Sequence, residues 1–243
     1  MTEVQTENIY DPGFVRRLFD EMSATYGITN YISSFGFCQR WRQQCVALAS
    51  IRPGMTVYDL MSGMGECWHL INRFLRDDGQ ILALDFSPEM CRRAAARKRR
   101  LGDLAVEVME EDFLANSLPS AAADRVVSAF GLKTFSDPQM AVAAAEIARI
   151  LKPGGVFSLV EISVPPATLL RLPYLFYLRR IIPLIGRLFL GNPDNYRLLG
   201  VYTEAFRNTS EMGRHLAAAG LEVEHRSFFF GCATGLRGRQ PEV

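Results

Sequence analysis

Apolar and polar positions change period several times along the chain. Over residues 13–25, Phe14, Leu18, Phe19 and Met22 recur at helical spacing and share one face. Residues 37–50 read as a second helix that stops before Arg52-Pro53-Gly54. From there, short apolar runs alternate with helical stretches. The runs at about 55–61, 80–85, 104–109, Arg125 to Phe130 and Val156 to Ile162 read as strands. Helices are expected at about 65–76, from Ser87 to about 101, and from Asp137 to Leu151. Ser87-Pro88-Glu89 is a helix start with a serine cap and proline at the first position. After Ser163 the alternation breaks, and residues 168–208 read as an apolar, arginine-studded helical insertion. A helix at about 210–219 precedes two strands, roughly 221–227 and 229–234, that can pair as a hairpin. The pattern predicts an α/β, Rossmann-like fold with a seven-stranded, mostly parallel sheet and helices on both faces. We expect one domain over 1–243: an N-terminal helical arm (1–50), a ligand-binding core (51–164), a late helical lid (165–208) and a C-terminal helix with strands (209–243).

The stretch Val57-Tyr-Asp-Leu-Met-Ser-Gly-Met-Gly-Glu66 carries the candidate chemistry. Asp59 lies in the first strand, Gly63 and Gly65 lie in the turn that follows, and Asp85 ends the second strand. Glycines let a ligand approach the backbone, and an acid at the end of the second strand can hold both ribose hydroxyls. A dinucleotide site needs a third glycine facing a pyrophosphate. Here Glu66, Cys67 and Trp68 follow instead. An acid at a helix start repels a pyrophosphate but not the ammonium and sulfonium charges of S-adenosylmethionine (SAM).

Composition narrows the partners. The 243 residues are 49% hydrophobic and carry a net charge of +1, so no global field favours nucleic acid. Cys38, Cys45, Cys67, Cys91 and Cys232 are odd in number and widely spaced. Free thiols in a reducing, cytoplasmic compartment are expected. The polar, acidic N-terminus does not read as a signal peptide. His69, His215 and His225 are isolated, so no metal site is expected. Arginines and prolines interrupt the apolar stretch Leu169 to Leu190 and make it a poor membrane span. Peripheral membrane contact through this lid and a homodimer both stay open.

Several segments fall in a familiar order: Tyr26 to Gly36, Asp59 to Gly65, Phe130-Gly-Leu-Lys-Thr134, Leu151-Lys-Pro-Gly-Gly155, Ile182-Pro-Leu-Ile-Gly186 and Asn195-Tyr-Arg-Leu-Leu199. Over roughly residues 10–238 the chain resembles the ubiquinone/menaquinone biosynthesis C-methyltransferases, a class I SAM-dependent family. The resemblance implies that Asp59, Ser62, Gly63 and Gly65 line the methionine end of SAM. It implies that Asp85 holds the ribose and Phe86 lies on the adenine. Asp112 and Phe113 would frame the adenine edge, with Ser128 beneath the cofactor.

The chain departs from that pattern near the expected acceptor. The family turn Phe-Gly-Leu-Arg-Asn ends here in Lys133-Thr134, an acid after the arm tyrosine is Gly27, and Ser62-Gly63-Met64 replaces Gly-Gly-Thr. Lysine keeps the charge but not the planar fork of arginine. Tyr26 and Lys133 are the expected catalytic side chains, Tyr26 at a ring oxygen and Lys133 stabilising a phenolate. Trp68, Phe130 and Thr134 are expected in the substrate pocket. The expected reaction is methyl transfer to a small, apolar, ring-hydroxylated acceptor, foremost C-methylation of a quinol-like or polyketide-like ring. O- or N-methylation of a specialised metabolite is the alternative, as is a SAM-binding cyclase or structural subunit without methyl transfer.

Overall fold

The computed structural model describes residues 8–76, 78–101, 105–188 and 193–242. Its strands are β1 (Thr56–Leu60), β2 (Gln80–Asp85), β3 (Val106–Glu110), β4 (Ala123–Ala129), β5 (Leu151–Ile162), β6 (Glu222–Phe228) and β7 (Ala233–Arg239). They form one sheet in the order β3-β2-β1-β4-β5-β7-β6. The first five are parallel, and β7 runs antiparallel between β5 and β6. Val57 to Leu60 are all buried, as expected of a central strand covered on both faces.

Helices α3 (Phe37–Leu48) and α4 (Trp68–Leu75) cover one face. There Cys45, Val46, Trp68 and Ile71 pack with Val57 and Ile81. Helices α6 (Asp137–Ile150) and α10 (Ser210–Ala218) cover the other, where Ala143, Ile147, Met212 and Leu216 meet Tyr58, Leu60 and Phe157. Helix α5 (Pro88–Arg100) opens as expected, with Ser87 Oγ accepting from Met90 N at 3.1 Å. Strand order reverses between β1 and β4, the place where such sheets open a crevice for ligands.

Two additions meet above that crevice. The arm contributes α1 (Pro12–Met22) and α2 (Tyr26–Ser33). The insertion contributes α7 (Thr168–Phe176), a π-helical stretch (Tyr177–Ile181), α8 (Ile182–Leu188) and α9 (Pro193–Phe206). Val15, Leu18 and Met22 of α1 pack with Tyr196 and Tyr202 of α9 and with Met90. Thr25 Oγ1 lies 2.8 Å from the Tyr196 hydroxyl, and Asn195 donates to Glu21 at 2.9 Å.

Some boundaries differ from the sequence pattern for physical reasons. The last strand starts at Ala233, not 229, because Phe229, Phe230 and Gly231 all adopt positive φ (44°, 55° and 88°) in a tight turn. Helix α4 starts at Trp68, not 65, because Gly63 and Gly65 hold φ of 57° and 77°. Strand β5 starts at Leu151, which pairs with Ala123 across an irregular register. The helix over Tyr26–Ser33 has no counterpart in the periodicity.

Candidate functional site

The turn after β1 is anchored by the end of β2. Gly63 N donates to Asp85 Oδ2 at 2.8 Å, and Ser87 N donates to Asp85 Oδ1 at 3.0 Å. A Cβ on Gly65 would sit 2.5 Å from the Trp68 ring, so that position has room only for glycine. Burial raises the Asp85 carboxyl to about 6; the two N–H donors oppose the shift, and Glu66 and Asp20 add to it. Burial also holds the Asp59 carboxyl well above the usual carboxylate range, with Glu66 adding and Trp68 and Arg42 opposing. The Trp68 indole lies close enough to favour the charged acid, yet neither Asp59 Oδ2 nor Trp68 Nε1 completes a hydrogen bond.

Above these acids opens a cleft of about 930 Å³. Asp59, Ser62, Gly63, Asp85, Phe86, Asp112 and Phe113 line it, together with Tyr10, Val15 and Phe19 from the arm. Three buried acceptors in its wall, Asp59 Oδ2, Ser62 Oγ and Glu66 Oε1, lack a hydrogen-bond partner. Buried polar atoms are normally satisfied. Glu66 Oε1 has the Arg42 guanidinium 3.7 Å away, but none of the three atoms has a hydrogen-bond donor. A ligand bringing an ammonium and ribose hydroxyls supplies such donors, so the residues present fit SAM. Gly65 and Ser128 do not line the cleft. Gly65 is covered by Trp68, and Ser128 is fully buried beneath with an unpartnered Oγ.

A second, apolar cavity, partly open to solvent, lies under the helical insertion. Phe37, Trp41, Ile162, Leu170 and Tyr174 line it, and Lys133 is its charged group. The Tyr177 hydroxyl ties the insertion to the arm by donating to Ser33 O at 2.6 Å. Phe130 lines both spaces and forms the partition between them. It holds φ of 73°, with the Arg42 guanidinium 5.1 Å over its ring and Trp41 edge-on at 6.4 Å.

The remaining expected residues fall differently. Lys133 is 3% exposed, and its Nζ donates to Glu161 Oε1 and Phe130 O, each at 2.9 Å. Thr134 lines the first cleft rather than the apolar cavity, and its Oγ1 donates to Gly131 O at 2.7 Å. Trp68 lines neither; it is fully buried in the core below Gly65. Tyr26 opens α2, but its side chain lies outside the described residues. Glu66, the acid that disfavours a pyrophosphate, is in the cleft wall; Arg42, Glu161, Tyr174 and Tyr177 are not among the expected site residues. Glu161 had a signal, a lone acid closing the apolar run of β5. Tyr174 and Tyr177 had one as well, the apolar, aromatic stretch Leu169 to Leu190, whose side chains can line a tunnel; Arg42 had none.

A family model, that of the ubiE/COQ5 methyltransferase family, matches residues 1–239. A demethylmenaquinone methyltransferase of Thermus thermophilus is 34% identical over 92% of this chain and 100% of its own length. The ubiquinone/menaquinone biosynthesis C-methyltransferase UbiE of Teredinibacter turnerae is 31% identical over 76% of this chain and 74% of its own. Among solved structures, a SAM-dependent methyltransferase from Aquifex aeolicus superposes with a TM-score of 0.57 at 21% identity. That match covers 81% of this chain and 88% of the other. It carries the fold alone.

Proposed function

The chain belongs to the ubiE/COQ5 methyltransferase family, and we propose that it methylates a ring carbon of a quinol-like or polyketide-like acceptor held in the lidded cavity. It is a SAM-dependent methyltransferase, and its acceptor is small and apolar. The observation that carries the reading is Phe130 as the shared wall of two spaces, one lined by acids and one apolar. Bound in the first, SAM supplies an electrophilic methyl for in-line displacement.

In our reading Asp59 and Glu66 hold the ammonium end, Asp85 accepts from the ribose, and Phe86, Asp112 and Phe113 frame the adenine. Asp112 is pre-set for that place, since its Oδ1 accepts from Leu114 N at 2.9 Å. Lys133 faces the acceptor. An ammonium has three donors; Glu161 and Phe130 O take two of Lys133's. The third is free to hold a ring oxygen as a phenolate, in a cavity dry enough to strengthen that contact; the proton lost from the methylated ring carbon would return to that oxygen as the S–CH3 bond is replaced by the ring C–CH3 bond. Tyr26 stands as the second group at a ring oxygen.

The buried, free cysteines suit a reducing compartment, so we place the chain in the cytoplasm. Among the described residues no helix is long and apolar enough to cross a membrane. An apolar acceptor would bring the chain to a membrane surface, and a homodimer is the other assembly we consider.

The test is S-adenosylhomocysteine release with a chemically reduced demethylated quinol, the product checked by mass spectrometry. A new ring methyl is expected. A methyl on oxygen or nitrogen would shift the reading to a specialised-metabolite enzyme, for which the Lys133-Thr134 turn is the motivating departure. No S-adenosylhomocysteine with any acceptor would leave a SAM-binding cyclase or structural subunit.

A further inference from the structure

Helix α7 is apolar on two faces. Leu170, Pro173 and Tyr174 line the lidded cavity. Leu169, Leu172 and Phe176 share an adjoining face and are 91%, 65% and 60% exposed. The apolar stripe of a helix is normally covered, and this second one is not. The chain also turns aromatic side chains outward beside it. Phe35 and Phe229 line the cavity, yet both are well exposed and form its rim. Phe229 packs on Phe37 with ring centroids 4.3 Å apart, and Phe230 continues the rim at 77% exposed. Phe35, Phe229 and Phe230 all hold positive φ, a conformation that L-residues adopt at a cost and keep where the surroundings demand it.

On the other side of the 229–231 turn lies an open cleft of about 1050 Å³, lined by Arg171, Arg207, Arg226, Ser210 and Ser227. Arg226 pairs with Glu224. Arg171 reaches only Thr168 Oγ1, at 3.4 Å, and Arg207 has no side-chain partner among the described residues. Residues 165–188 hold Arg171, Arg179, Arg180 and Arg187 and no acid, although Arg179 pairs with Glu204 of α9. Apolar rim and basic cleft therefore share one face, joined through Arg171 on α7 and the 229–231 turn.

We propose that this face docks on an anionic phospholipid surface. Leu169, Leu172, Phe176 and Phe230 enter the acyl boundary, and the Arg171–Arg207–Arg226 cleft seats a headgroup phosphate. Charge decides the occupant. Two copies meeting through this face would bring like charges together, whereas an anionic bilayer complements the arginines and covers the rim. Docking would place the cavity mouth on the bilayer, so an apolar acceptor reaches Lys133 without crossing water. That purpose rests on our reading of the lidded cavity; the docking itself does not, because it is measured without acceptor or turnover.

The test is co-sedimentation of the full chain with vesicles of phosphatidylcholine alone and of equal parts phosphatidylcholine and phosphatidylglycerol. Strong binding to the mixed vesicles is expected, with a salt-sensitive excess over the neutral ones. Leu169→Ser with Phe230→Ser is expected to weaken binding to both kinds at least tenfold. Arg171→Gln with Arg207→Gln is expected to lose about 25-fold on the mixed vesicles alone, from about fivefold per arginine. A SAM-induced melting shift equal to that of the parent shows that each variant is folded. Equal binding by parent and variants would overturn the proposal. So would absence of binding with a dimer that Leu169→Ser/Phe230→Ser disperses, since a second copy then covers the rim. Inorganic phosphate binding that the arginine variant abolishes, with vesicle binding unchanged, would reassign the cleft to a soluble anion and overturn it as well.

Discussion

Lys133 and Glu161 form an ion pair at 2.9 Å with side chains only 3% and 0% exposed. Glu161 Oε2 also accepts from the Lys133 backbone N–H at 3.1 Å. The carboxylate thus fixes both ends of the lysine at the edge of the apolar cavity. Removing one partner of a buried pair leaves a charge uncompensated and costs about 3–5 kcal/mol.

Lys133→Met is therefore expected to abolish turnover, lower stability by roughly that amount, and spare SAM affinity, because Lys133 lies beyond the Phe130 wall. Glu161→Gln is expected to lower kcat without changing the SAM Kd, as a residue that positions Lys133. Lys133→Arg restores the charge and should recover part of both stability and rate. Calorimetry with SAM and a steady-state assay separate these terms. Full turnover in Lys133→Met would move the lysine out of the chemistry.

Asp85 predicts a pH dependence. Its carboxyl is raised from 3.8 to about 6 on folding, so between those values the folded chain holds a proton that the unfolded chain has released. Stability of the ligand-free protein thus falls as pH rises through that window, and the loss is complete above about 6. Ribose hydroxyls donating to the carboxylate favour its charged form. SAM affinity, and the melting shift SAM induces, should rise from about pH 5 and level off above about pH 6.5. A shift that is flat over this range, or tight SAM binding by Asp85→Ala, would show that another group holds the ribose.

Gly65→Ala tests the turn itself. The new Cβ would lie 2.5 Å from the Trp68 ring, at a φ of 77°. We expect a loss of about 1–3 kcal/mol in stability and weaker SAM binding, read by melting and calorimetry. Unchanged values would mean that the turn can move aside at no cost to the cleft.

These cases show what was legible in the sequence. The strand–glycine–acid constellation of Asp59, Gly63 and Asp85 was, because strand periodicity and turn chemistry place it locally. Thr134 and Lys133 are neighbours in the sequence, yet the two face different spaces. Leu132–Thr134 forms a 3₁₀ turn, in which successive side chains diverge by about 120°. Position just past the glycine turn suggests a pocket wall for Trp68, but Gly65 gives it a slot in the core. The outward aromatics of the 229–231 turn looked like a strand, since periodicity carries no sign of φ. Glu161 is an acid in an apolar run, a pattern that marks it without assigning a role, because its partner Lys133 arrives from another strand end and is invisible to local pattern.

The arm gives the last prediction. Asp20 of α1 accepts from Ser87 Oγ at 2.5 Å and from Glu89 N at 3.3 Å, so it docks on the N-terminus of α5. It also raises the Asp85 carboxyl through its charge. Asp20→Ala should therefore do two things. It should loosen the arm over the cleft, speeding SAM dissociation, with a stability loss of about 1 kcal/mol from the weakened helix start. It should also move the pH midpoint of SAM binding downward, toward the ordinary carboxylate range. A purely structural role for Asp20 would alter the melting temperature and leave that midpoint in place. Stopped-flow SAM release and a pH series of binding isotherms distinguish the two outcomes.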